Sequence, residues 1–117
     1  MTAAAPDSGP DIAPALIWCP FADEDSALPV IDRLLDEGLV ACANVLPPMR
    51  ALYVWRGERG EARECGVLFK TNAALLDRAI ARLALLHPYD TPAAIGWRAD
   101  SAAPGALAWL AELGRQK

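Results

Sequence analysis

The two side chains with the clearest chemical potential in this chain are one cysteine and the single histidine. Cys19 closes a short apolar segment, and His87 stands before Pro88 at the end of a helical pattern. A thiolate and an imidazole together suit copper and zinc. Two protein ligands are too few for a tight site, so water or Asp90 would have to complete the coordination. Cys19 and His87 are therefore candidate ligands for Cu(II) or another divalent metal ion.

Both residues also have a purely structural interpretation. Cysteine is often buried as a small hydrophobic residue. A histidine in the last turn of a helix can bond the free carbonyl groups there and favours the negative end of the helix dipole. The chain has one histidine and no C-x-x-C motif, which argues against a structural zinc site. At this point both interpretations of Cys19 and His87 stay open.

Further residues are candidates for a ligand site or a subunit interface. Lys70 ends an apolar strand ahead of a helix start, where it could bind an anion with the helix N-terminus. The alternative is an ammonium group that reaches solvent from the sheet end. Tyr89 either lines a cleft between subunits or covers the core. Trp55, Glu61 and Glu64 flank a predicted hairpin and are expected to hold subunits together.

Length, charge and cysteine usage exclude several classes of protein. The 117 residues fit one domain. Their net charge of −4, without a basic stripe, argues against a nucleic-acid partner. No apolar run approaches the roughly 18 residues of a membrane helix, and the first residues lack the cations of a secretory signal. Three cysteines form no pairing pattern, so we expect reduced thiols in a cytoplasmic protein.

Residue periodicity predicts alternating strands and helices after an N-terminal tail. Residues 1–14 are mostly Ala, Pro, Gly, Asp and Ser, so we expect a disordered tail, followed by one domain over 15–117. Pro29 favours a start of the first helix near residue 25, and Gly38 favours its end. Apolar residues at helical spacing predict helices over 26–37, 73–86 and 104–113. Strand-forming residues predict strands over 15–19, 39–46, 51–55, 65–69 and 91–97, with a polar turn over 56–61.

The order of these elements predicts an α+β fold. It is a ferredoxin-like βαββαβ sandwich with a long β-hairpin and an extra C-terminal helix. The 17 residues from Leu39 to Trp55 would span roughly 55 Å as one strand, which overhangs a domain with a radius of gyration of about 13 Å. Either Pro47-Pro48 folds the strand back, or its far half pairs with another subunit. The apolar tip favours the second option, so we expect an oligomer.

Several short motifs occur in a fixed order between Ala15 and Leu113. They are Leu39-Val40-Ala41-Cys42-Ala43-Asn44-Val45-Leu46-Pro47, Tyr53-x-Trp55-x-Gly57, Glu61 and Glu64, Lys70-Thr71, and His87-Pro88-Tyr89. Cys19, at the end of the first strand, completes the set. In this order and spacing the motifs resemble the CutA family, the divalent-ion tolerance proteins.

The resemblance implies a ferredoxin-like subunit that assembles as a tight homotrimer, similar in design to the nitrogen-regulatory PII proteins. It also implies a role in tolerance of copper and other divalent ions, without established catalysis, and it assigns copper binding to Cys19 and His87. Two positions depart from the family pattern. Ala93 follows Thr-Pro where relatives often carry Glu, and Ala106 precedes Trp109 by three residues where Tyr is usual.

Two other functions compete with a trimeric divalent-cation (copper) tolerance protein. The first is a PII-like signalling module that binds a small anionic ligand in the inter-subunit cleft through Lys70 and Tyr89. The second is an enzyme, which we rank last because the chain has no Gly-rich phosphate loop and its only histidine has no evident nucleophile. The expected partners are further copies of the chain and divalent metal ions, with neither nucleic acid nor a membrane.

Overall fold

The elements of the subunit follow the predicted order of strands and helices. A computed structural model describes residues 12–115. Residues 1–11 of the predicted tail lie outside the described residues, and the first strand begins at Pro14. The elements are β1 Pro14–Phe21, α1 Glu24–Asp36, β2 Cys42–Val45, β3 Met49–Trp55, β4 Glu58–Asn72, α2 Leu76–Leu86, β5 Ile95–Arg98 and α3 Pro104–Glu112.

The strands form one antiparallel sheet in the ferredoxin-like arrangement. Their order is β2-β4-β1-β5, and β3 also pairs with β4. Every pairing in the sheet is antiparallel. Because β2 and β3 pair with successive parts of β4, together they take the place of the second strand. The α+β fold, the long hairpin and the extra C-terminal helix are confirmed.

Local capping shifts the helix boundaries from those predicted. Asp23 accepts a hydrogen bond from the Ser26 backbone N–H at 2.8 Å and caps α1, so the helix starts at Glu24 and Pro29 lies beyond its first turn. Gly38, with φ of 70°, follows the end of α1 as predicted. The helix α2 starts at Leu76, later than predicted. The three residues before it form a turn, in which the Leu75 backbone N–H donates to the side-chain and backbone oxygens of Asn72.

The hairpin is longer and tighter than predicted. The polar turn shrinks to Arg56 and Gly57, both with positive φ, because Trp55 already pairs with Glu58. Such a two-residue turn matches the twist of its strands. The residues after the turn therefore belong to β4, which runs for 15 residues.

Pro47-Pro48 interrupts the long arm without folding it back. Val45 pairs with Val67, and Met49 pairs with Glu64. Three residues thus oppose two, which is a bulge in the arm. The far half pairs with β4 of its own chain, so the strand is not folded back at Pro47-Pro48, and pairing of the far half with another subunit stays a prediction for its other edge. Within residues 12–115, the other edge of β3 has no strand partner. The hairpin gives the subunit a long axis of 49 Å.

Helices cover one face of the sheet and leave apolar side chains on the other. Alternating residues of β1 and β4 are buried against α1 and α2. They include Ile17, Cys19, Phe21, Val67 and Phe69. On the opposite face Trp18 pairs with both Leu68 and Ile95, and Leu16 pairs with Trp97. Ile95 is 61% exposed. No helix among the described residues is long and apolar enough to cross a membrane.

Candidate functional site

The imidazole of His87 is buried and hydrogen-bonded at both ring nitrogens. Its Nε2 lies 2.9 Å from the carbonyl oxygen of Pro20, and the backbone N–H of Tyr89 donates to Nδ1 at 3.1 Å. Because a carbonyl can only accept a hydrogen bond, the tautomer with its proton on Nε2 satisfies both contacts. Burial lowers the pKa of His87, while the Pro20 hydrogen bond and the charge of Glu64 act in the opposite direction.

Aromatic rings fix the orientation of this imidazole. The ring of Phe21 stacks on His87 at a centroid distance of 4.2 Å, and the Tyr89 ring lies at 4.7 Å. His87 ends α2 with an extended backbone, the conformation that Pro88 imposes on the residue before it. The histidine therefore joins the end of α2 to the end of β1.

Tyr89 and Glu64 extend the network towards the hairpin. The Tyr89 hydroxyl donates to Oε2 of Glu64 at 3.0 Å. Burial, followed by this hydrogen bond and the charge of Glu64, raises the pKa of Tyr89 to about 12. Tyr89 is therefore a hydrogen-bond donor over the physiological pH range, and it holds the Glu64 carboxylate in place.

Cys19 lies in the core beside this network. It is fully buried in the centre of the sheet, opposite Val67 on β4. Burial and, secondarily, the charge of Glu64 raise the pKa of the Cys19 thiol to about 12. The thiol thus keeps its proton at neutral pH, whereas the thiolate is the form that ligates metals.

The arrangement within the subunit does not fit a copper ion at Cys19 and His87. A neutral imidazole ligates a metal through its unprotonated nitrogen, and that nitrogen already accepts a hydrogen bond from Tyr89. The described part of the chain contains no group of three or more His, Cys, Asp or Glu side chains placed to hold a metal. Metal ligation by Cys19 and His87 stays a prediction. For it to occur, His87 must first lose its hydrogen bond from the Tyr89 N–H.

A groove of 680 Å³ lies beside the network, between the hairpin and the loop after α2. It brings together three predicted site residues: Trp55, Tyr89 and Asp90. Ala93 also lines it. The remaining lining residues are Pro20, Met49, Ala51, Leu52, Tyr53, Val54, Arg56, Ala62, Glu64 and Thr91.

The other two predicted site residues lie elsewhere. The ammonium group of Lys70 donates to the Asn44 side chain at 3.1 Å, away from the groove. Glu61 forms an ion pair with Arg50 at 2.6 Å. The predicted anion site, with Lys70 beside Tyr89, is therefore not assembled within one subunit. The charged side chain beside Tyr89 is the carboxylate of Glu64, and not the ammonium group of Lys70.

Sequence reasoning placed Glu64 at a subunit interface and missed its contact with Tyr89. The two residues are 25 positions apart, so no local motif joins them. The Pro20 carbonyl, 67 positions from His87, was missed for the same reason. A backbone carbonyl has no signal in a residue pattern.

Comparison with known proteins agrees with this fold. Residues 15–113 match the family model described as CutA1 divalent ion tolerance protein. The divalent-cation tolerance protein CutA of Pyrococcus horikoshii is 40% identical over 97 residues, which cover 83% of this chain and 94% of the relative. The protein of the same name from Thermotoga maritima is 32% identical, with 83% and 95% covered.

Solved structures give the same result. The crystal structure of CutA from Xylella fastidiosa superposes with a TM-score of 0.79 at 36% identity and covers 84% of this chain and 94% of that chain. The family match over residues 15–113 spans nearly the whole described subunit, and the element order is the one that residue periodicity predicted. The chain therefore belongs to the CutA1 divalent ion tolerance protein family.

Proposed function

We propose that this protein acts in divalent-cation tolerance as a homotrimer, with copper among its ions. The names of the relatives from Pyrococcus horikoshii and Thermotoga maritima support the tolerance function. We also propose a cytoplasmic location, because the three cysteines are free thiols, which suits a reducing compartment.

The main support for the proposed trimer is the exposed apolar surface of the hairpin. Val54 is 65% exposed and Leu52 is 55% exposed, on a strand whose outer edge has no partner among the described residues. A long apolar edge strand tends to pair with another chain. The helix-free sheet face, with Ile95 and Trp97 exposed, offers a second apolar surface.

The assembly is tested by measuring the molar mass of the protein in solution by light scattering. The native chain is expected to have three times the subunit mass, and Val54→Asp is expected to lower it. Leu85→Asp is the matched control, because Leu85 is 78% exposed on α2, away from the hairpin. A native chain that is monomeric, or a Val54→Asp variant that stays trimeric, would count against this role of the hairpin.

The metal part of the proposal is tested by calorimetric titration of the reduced protein with Cu(II) and Zn(II). His87 must give up its hydrogen bond from Tyr89 before it can ligate a metal. We therefore expect the ions to bind at exposed groups instead, and this binding should be unchanged in His87→Gln. Loss of a one-per-subunit copper isotherm in His87→Gln would instead identify His87 as a ligand, as the predicted site of Cys19 and His87 requires. Absence of binding in the native trimer would contradict direct handling of the ion.

A further inference from the structure

One face of the hairpin formed by β3 and β4 carries an excess of positive charge. Arg50 and Arg63 stand directly opposite each other in the register, and like charges in this position repel. Glu61 binds Arg50, whereas neither Arg59 nor Arg63 forms an ion pair with a carboxylate among residues 12–115. Alternate residues of a strand share a face, so these three arginines and one glutamate lie together. We call this surface the arginine face.

The other face of the hairpin is negatively charged. Glu58 and Glu64 alternate with the residues of the arginine face along β4, so they lie opposite to it. Glu64 lines the groove beside the loop after α2, and the loop adds Asp90. In the described part of the chain, none of these three carboxylates forms an ion pair with Lys or Arg. Arg56 lies in the turn, 5.0 Å from the Trp55 ring centroid. Glu58, Glu64 and Asp90 form what we call the carboxylate face.

The symmetry of a cyclic trimer requires two unlike surfaces at every contact. Each interface in such a ring is heterologous, so a patch of one copy meets a different patch of the next. Two β3 edges that pair antiparallel with each other are instead related by a twofold axis, which closes a dimer. The edge of β3 alone therefore cannot close a trimer by meeting its own copy. The arginine face and the carboxylate face are unlike surfaces with opposite charge.

We infer that the arginine face of one hairpin packs on the carboxylate face of the next subunit around the ring. Each groove between the hairpin and the loop after α2 is then completed by a neighbouring copy, and its carboxylates gain the arginines that have no carboxylate in their own subunit. A twofold contact would bring like charges together, which costs affinity. The inference rests on the proposed homotrimer, and it adds which surfaces meet.

Charge reversal on each face tests the contact. Two double variants, Arg59→Glu with Arg63→Glu and Glu58→Lys with Asp90→Lys, are compared with the variant that carries all four substitutions. The four residues are exposed, so we expect the fold to persist, which circular dichroism checks. Light scattering over a dilution series gives the concentration at which the trimer dissociates. Each double variant places like charges across the interface, so this concentration should rise at least about tenfold. The fourfold variant restores opposite charges and should return it to the native value.

A control variant reverses charges away from the hairpin. Asp32→Lys with Arg78→Glu changes exposed residues of α1 and α2 and should dissociate as the native trimer does. Double variants that match this control would overturn the inference and leave the homotrimer intact. A fourfold variant as dissociated as the double variants would also overturn it, because the two faces would then meet other surfaces. A monomeric native chain would instead contradict the homotrimer itself, and the inference with it.

Discussion

The hydroxyl of Tyr89 donates to the carboxylate of Glu64 at 3.0 Å, and this contact ties the loop after α2 to the hairpin strand β4. Burial is the main cause of the pKa shifts of Cys19 and His87, and the charge of Glu64 adds to the rise at Cys19 and opposes the lowering at His87.

Removing the hydroxyl in Tyr89→Phe is expected to lower the free energy of unfolding by about 1 kcal/mol, because the partly buried Glu64 carboxylate loses a donor. Denaturant unfolding measures the change. Tyr53→Phe is the control, since the exposed Tyr53 has no hydrogen bond through its hydroxyl within the described chain. Equal effects of the two substitutions would show that the Tyr89 contact contributes nothing specific.

His87 is expected to make stability depend on pH. Its pKa in the folded chain lies below the ordinary value of 6.5, so the unfolded chain binds the proton more tightly. Its contribution is complete above pH 6.5 and is lost as pH falls through the lowered pKa. Melting temperatures from pH 8 to pH 5 should therefore fall at the acid end. The decline in melting temperature should be smaller in His87→Gln, which lacks the only histidine of the chain. An identical decline in the variant would show that carboxylates cause it, and not His87.

The thiol of Cys19 is expected to resist modification in the folded protein. Its burial and its pKa of about 12 keep the thiolate population small at pH 8. Mass spectrometry of the Cys19 peptide after treatment with a disulfide reagent should show labelling only at the rate of unfolding. Rapid labelling under native conditions would show that β1 opens locally and exposes the thiol.

Asn72→Ala is expected to loosen the C-terminal helix. The buried Asn72 amide donates to the Leu110 carbonyl at 2.8 Å, and its oxygen accepts the Leu75 N–H at 3.1 Å. Loss of both contacts should cost about 2 kcal/mol or more and should speed hydrogen exchange of α3. Asn44→Ala, on an exposed residue, should leave the exchange of α3 unchanged. Equal exchange of α3 in the two variants would show that Asn72 does not anchor it.

Local residue patterns were sufficient to predict the secondary structure and much of the core. The apolar spacing of α1 and α2 and the strand segments predicted the ferredoxin-like order, because helix and strand periodicity are properties of neighbouring residues. The boundaries were less accurate. The predicted turn over 56–61 was wrong, since the pairing of Trp55 with Glu58 depends on the whole hairpin and not on the polarity of its residues.

The sequence by itself determined the elements, the family motifs and the presence of Cys19 and His87. Only the tertiary structure decided what surrounds them. The pairing of β1, β3 and β4 places Pro20, Glu64 and Tyr89 around His87, and it separates Lys70 from Tyr89. The contact of Tyr89 with Glu64 joins residues 25 positions apart, and that of His87 with Pro20 joins residues 67 positions apart; both follow from sheet register and helix packing. No short stretch of sequence encodes such contacts, because the free energy that selects a register belongs to the complete set of buried side chains.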